Sequence, residues 1–158
     1  MNSINKIAEM EDMKINVKMK LSALWAAAMF CYIYGDIFSF HRPGVMTEIM
    51  AGKMGPFPVT QVSLLTAALF MAIPGVMVFL SLALKPKVNR WANIILGVFY
   101  IVTNSISFLT DSWSYFIVLG VVEVALTALI VWHAWKWPKQ EGSPNSINQT
   151  VSTNHLSA

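Results

Sequence analysis

LSALWAAAMFCYIYGDIFSFHRPG, residues 21–44, decides how the chain is read. Residues 21–40 hold a single charge, Asp36, and the run then breaks at the basic HRPG. About 20 apolar residues, each rising 1.5 Å, are what a helix needs to cross a hydrocarbon core. Working outward, three more runs have that length, at 61–84, 91–109 and 115–135, closed by KPKVNR, TDSWS and KWPKQEGSP. Composition agrees: 56% of the 158 residues are hydrophobic and 12% charged, against about 45–50% and about 25% in soluble domains. The expected fold is all-α, an integral membrane four-helix bundle with antiparallel spans.

The charges orient it. Nine basic residues (Lys6, Lys14, Lys18, Lys20, Lys85, Lys87, Arg90, Lys136 and Lys139) flank one face, and only Arg42 and Lys53 flank the other. This asymmetry predicts both termini on the cytoplasmic side of a bacterial cell membrane. Trp91, Trp113, Trp135 and Trp137 fall at span ends, where amphipathic rings prefer the headgroup region. Because the lysines and arginines are scattered between apolar runs, no basic stripe for nucleic acid is formed.

Three regions follow. Residues 1–20 form a cytoplasmic N-terminal segment. Ile4, Ile7, Met10, Met13 and Val17 make a narrow apolar stripe, so 3–18 reads as either an interfacial helix or an unstructured lead. No small-residue cleavage site follows the first run, so that span is expected to remain. Residues 21–137 form the four-span domain. Residues 138–158, polar and rich in Ser, Asn and Thr, form a disordered cytoplasmic tail. Within span two, Pro74-Gly75 predicts a packed kink.

Helical spacing gathers the polar residues into faces: Ser22, Trp25, Met29, Tyr32, Asp36 and Ser39 in span one, and Asn93, Gly97, Tyr100, Asn104 and Ser107 in span three. Span four offers Phe116, Gly120, Glu123, Thr127 and Ala134. A carboxylate facing lipid at mid-span costs about 2.5–3.5 kcal/mol or more, which turns Asp36 and Glu123 inward. At 1.5 Å per residue, Asp36, Asn104 and Glu123 lie about 6, 7 and 13 Å from the outer ends. The expected ligand-binding site is therefore Tyr32, Asp36, Tyr100, Asn104 and Glu123, opening outward, with His41 and Arg42 at its mouth. Three explanations of these groups stand side by side: hydrogen bonds that join helices, each contributing about 1 kcal/mol, a pocket for a small ligand or ion, and catalysis.

The sequence assigns no catalytic residue, metal ligand or cofactor. G-x-S-x-G, P-loop, H-E-x-x-H and C-x-x-C are absent from it. Cys31 is the only cysteine, so it forms no intrachain disulfide and anchors no zinc cluster. His41 and His133 belong to opposite faces, which excludes a simple bis-histidine haem between them.

The elements YGDIFSFHRPGV, IPGVMVFLS, NRWANIILGV and VEVALTALIVWHAW together resemble a bacterial family of small four-span membrane proteins known as a domain of unknown function. The resemblance covers roughly 21–138; more remotely the architecture is similar to DoxX-like four-helix membrane proteins. Where the resemblance implies an acidic residue before the Ile-Pro of span two, this chain has Ala72, which weakens any scheme built on three carboxylates. The expected function is non-enzymatic: binding of a small ligand, lipid or membrane partner through the outward polar pocket. The alternatives are an oligomeric small transporter or channel that uses Glu123, and a quinone- or haem-binding redox helper. Partners expected are the lipid bilayer, further copies of the chain and an unidentified small ligand, but no nucleic acid.

Overall fold

The computed structural model describes residues 15–137. Its elements run α1 (Val17–Phe40), α2 (Val45–Met50), β1 (Lys53–Met54), β2 (Phe57–Pro58), α3 (Gln61–Ala83), α4 (Pro86–Thr110) and α5 (Ser114–Trp135). The four long helices fall on the four apolar runs. Helix α1 starts at Val17 instead of 21 because Asn16 caps it, its side chain accepting the Lys18 N–H at 2.9 Å. The rest of the expected interfacial segment and the tail at 138–158 lie outside the described residues.

Three helices, α1, α3 and α5, are long and apolar enough to cross a membrane. Helix α4 is as long but carries more polar residues, and its asparagines point into the protein. Asn89, Asn93 and Asn104 are buried, while Val88, Trp91, Ile95, Val98, Val102, Ile106 and Leu109 are exposed. A soluble surface helix has the opposite pattern.

Helix α1 packs against α3 on one side and α5 on the other, and α5 packs against α4. The buried stripe of α1 is Leu21, Trp25, Ala28, Tyr32 and Gly35. It shares Trp25 and Tyr32 with the expected face but steps through Ala28 and Gly35 in place of Met29 and Asp36. At Gly35 the neighbouring α5 stands in ordinary contact, since a Cβ there would meet Leu119 Cδ1 at 3.9 Å. Asp36, about 100° further round the helix, is exposed. Gly97 is the close approach, since a Cβ would lie 2.6 Å from Val131 Cγ2 on α5.

Pro74 is buried in α3. It has no N–H to offer Phe70 four residues back, and the Tyr100 hydroxyl of α4 donates to that Phe70 carbonyl at 2.5 Å. The Phe70 and Tyr100 rings lie 4.9 Å apart, and the Trp25 ring meets Tyr100 edge-on at 5.8 Å. The proline on which a packed kink was expected thus has a specific partner on α4 for the carbonyl it leaves free.

The end of the bundle where α1 and α4 begin, the basic end, is closed by polar side chains. Trp25 Nε1 donates to Asn93 Oδ1 at 2.7 Å, Asn93 Nδ2 donates to Asn89 Oδ1 at 2.7 Å, and Asn89 Nδ2 donates to the Ser81 carbonyl at 2.6 Å. Lys18 Nζ donates to the carbonyls of Leu82 and Leu84 at 3.0 and 2.8 Å. The last carbonyls of a helix have no partner within it, and here α1 and α4 supply those of α3.

At the opposite, loop end, residues 41–60 hold a short helix and a hairpin that the apolar runs did not predict. Gly44, Gly52 and Gly55 have φ of 87°, 76° and 58°, values that residues with a Cβ rarely adopt. They start α2, end it and turn the hairpin.

Candidate functional site

The loop half of the bundle brings α1, α4 and α5 together around Glu123. Gly35, Asn104, Ser107, Phe116, Leu119, Gly120 and Glu123 line a cavity of about 20 Å³. Glycines on α1 and α5 make this room, because each leaves the space a side chain would fill. A site for a drug-sized ligand is typically about 300–1,000 Å³; this one admits a single water.

Asn104 Nδ2 donates to the Tyr32 hydroxyl at 2.8 Å, tying α4 to α1 across the core. That bond leaves the Asn104 Oδ1 without a hydrogen-bond partner among the described residues. Tyr100 is buried beside Tyr32, with ring centroids 6.2 Å apart, but its hydroxyl is committed to Phe70. It packs the site's floor and does not reach the cavity.

Glu123 is half-buried, and Asp36 lies near enough for the two charges to act on each other. Neither carboxylate has a hydrogen-bond or ion-pair partner among the described residues. Asp36 stands beside the cavity and does not line it. Of the five expected ligand-binding residues, Asn104 and Glu123 line the cavity, Tyr32 holds Asn104, and Tyr100 and Asp36 lie outside. Thr127, on the same face as Glu123, donates its hydroxyl back to the Glu123 carbonyl at 2.7 Å.

His41 is exposed, and its Nδ1 lies 2.9 Å from the Ile37 carbonyl at the end of α1. Arg42 is engaged more fully. Its Nη1 donates to Asp111 Oδ2 at 2.8 Å and its Nε to the Tyr115 hydroxyl at 2.5 Å. The guanidinium carbon lies 5.4, 5.0 and 5.2 Å from the ring centres of Trp113, Tyr115 and Phe116. Such rings attract a cation through their negative faces. Burial opposes the charge on Arg42, but Asp111 and Tyr115 outweigh it and raise the pKa above its ordinary value. At Asp111 burial also opposes ionisation. The Trp113 N–H and the Arg42 guanidinium prevail, holding the carboxyl below the ordinary carboxylate value. Arg42 therefore fastens the 41–60 loop to the α4–α5 turn, and its ionic partner is Asp111, not Asp36.

A family model described as a family of unknown function, DUF6326, matches residues 5–143. The chain belongs to that family. The match includes all four long helices, the Glu123 cavity and the Arg42 clasp. No curated protein and no solved structure matches it. Family membership thus brings no activity to transfer, and the residues themselves carry the argument.

Sequence reasoning missed Asp111 and Tyr115, and it placed Phe116 on the inward face of span four without its contact to Arg42. The signal was present, since TDSWSYF places an acid and three rings within six residues opposite HRPG. Span-by-span counting assigned Asp111 to a turn and Trp113 to the headgroup belt.

Proposed function

We propose that the protein is a four-span membrane protein with both ends in the cytoplasm, and that Glu123 is a proton-binding site reached from the outer side. The observation that carries this is the unpartnered Glu123 carboxylate in a cavity of water size. A buried carboxylate needs a proton, a counter-ion or water. Ca²⁺ takes 6–8 oxygen ligands and Mg²⁺ a near-ideal octahedron, whereas the side chains lining this cavity offer one carboxylate, one amide oxygen and the Ser107 hydroxyl. A water hydrogen-bonded to Asn104 Oδ1 suits the transfer of a proton to Glu123. Asp36, Tyr32 and Cys31 are the titratable groups around it.

Helix α4 serves as the fourth span in this reading. Its 25 residues extend about 37 Å, more than the hydrocarbon core of about 30 Å. Its three asparagines, Asn89, Asn93 and Asn104, are buried. Among the described residues, the basic end holds Lys18, Lys20, Lys85, Lys87, Arg90 and Lys136 and no Asp or Glu, which supports a cytoplasmic position for that end.

The test is the thermal stability of detergent-solubilised protein across pH. The wild-type curve shows a step that Glu123→Gln removes while Asn104→Asp shifts it. A wild-type profile unchanged by Glu123→Gln rules the site out. In a Cys31→Ser background, Ser112→Cys is labelled by an impermeant reagent in intact cells, and Lys87→Cys only after permeabilisation. Labelling of both without permeabilisation excludes α4 as a span.

A second reading, self-association, rests on Asp36. Exposed beside Ile33 and Phe40 on α1, it would be shielded from lipid by a second copy. Cysteines at Ile33 then crosslink in membranes, and failure to do so at any expression level removes this reading.

A further inference from the structure

At the basic end, the first turns of α4 carry a feature that neither the Glu123 cavity nor the helix-joining network uses. Lys87, Val88, Arg90, Trp91 and Ala92 line an open groove of about 650 Å³. The groove is cationic on one side and apolar on the other. Arg90 is half-buried, with its guanidinium carbon 6.0 Å from the Trp135 ring centre. Its Nε is buried and has no hydrogen-bond partner among the described residues. Lys87 is exposed.

From this groove an apolar track runs the length of α4 through Trp91, Ile95, Val98, Val102 and Ile106, each roughly half or more exposed. The groove matches a negatively charged headgroup and the track matches its acyl chains. We infer that the groove at Lys87, Arg90 and Trp91 binds the headgroup of an anionic phospholipid, with the chains lying along α4. A free phosphate would satisfy the cations but would leave the track and Trp91 unused. Basic pockets beside spanning helices are an established way of holding such headgroups. The inference rests on membrane embedding of α4, but not on the proton site.

The experiment uses the full chain in mild detergent, with phosphatidylglycerol and phosphatidylcholine of the same acyl chains, and reads retained lipid by native mass spectrometry. Wild type retains phosphatidylglycerol over phosphatidylcholine. Lys87→Gln and Arg90→Gln each lower that preference about fivefold, near what one surface cation contributes. Lys53→Gln at the loop end leaves it unchanged. Equal retention of both lipids, or a preference untouched by Lys87→Gln, overturns the inference. Displacement of phosphatidylglycerol by millimolar inorganic phosphate reassigns the groove to a soluble anion and overturns it as well. Because Arg90 also contacts Trp135, Lys87→Gln decides the matter if Arg90→Gln does not fold. Detergent removes any dependence on orientation, so this result and the cysteine labelling fail separately.

Discussion

Tyr100 donates its hydroxyl to the carbonyl of Phe70, the one carbonyl that Pro74 deprives of its helical partner. A defect in one helix is thereby made into a contact with another. Deleting the hydroxyl with Tyr100→Phe orphans a buried acceptor and costs about 1–3 kcal/mol. In a Pro74→Ala background the new N–H serves Phe70, and the same deletion costs less by about 1 kcal/mol. Unfolding of the four proteins in detergent measures the cycle. Strict additivity would mean the two residues are unrelated.

Gly97 sets how closely α4 and α5 approach. Gly97→Ala places a methyl 2.6 Å from Val131 Cγ2, and overpacking of this kind costs about 1–3 kcal/mol. Adding Val131→Ala vacates the space and recovers most of the loss. A Gly97→Ala protein as stable as wild type would show that the helices separate without penalty.

The four long helices were legible because apolar runs bounded by HRPG, KPKVNR and TDSWS leave few other choices. Two of the expected faces also matched closely, with Asn93, Gly97, Tyr100 and Asn104 buried on α4 and Gly120, Thr127 and Ala134 on α5. The face of α1 slipped because 3.6 residues per turn allows a step of three or four at each point. Only the neighbouring helices choose between Gly35 and Asp36, and they choose the residue with no side chain. Lys18 was read as a topology signal, and a count of charges has no way to foresee that its amine caps α3. The cavity's size was likewise invisible, since it is set by the mutual approach of three helices.

Asn93 should be the most sensitive polar residue of the basic end. Asn93→Leu leaves the Trp25 N–H and the Asn89 side-chain oxygen without their present partner, at about 1–3 kcal/mol for each orphaned group. Thr103→Val, which removes only local bonds to the Phe99 and Tyr100 carbonyls, is close to neutral. The comparison is made by thermal unfolding and by expression level in membranes. Equal effects of the two substitutions would show that the network contributes nothing beyond local bonding.

The Arg42–Asp111 clasp gives the loop end a pH dependence of definite sign. Asp111 is held below its ordinary value of 3.8, so the folded state binds its proton less readily than the unfolded chain does. The contribution of the pair is therefore complete above about pH 4 and is lost as pH falls through the lowered folded value. Arg42 remains charged throughout, because its pKa lies above an already high ordinary value. Acid should thus release the 41–60 loop from the α4–α5 turn, seen as faster amide hydrogen exchange in 41–44 and 111–116 after correction for the intrinsic pH dependence. In Asp111→Asn the exchange is already fast at neutral pH and gains no further acid step. Arg42→Lys retains the charge but loses the second donor to Tyr115 and the planar fit among Trp113, Tyr115 and Phe116, so it loosens the loop at every pH while keeping the acid step. A loop whose protection is the same in wild type and Asp111→Asn from neutral pH into acid would mean that the rings, and not the ion pair, hold Arg42 in place.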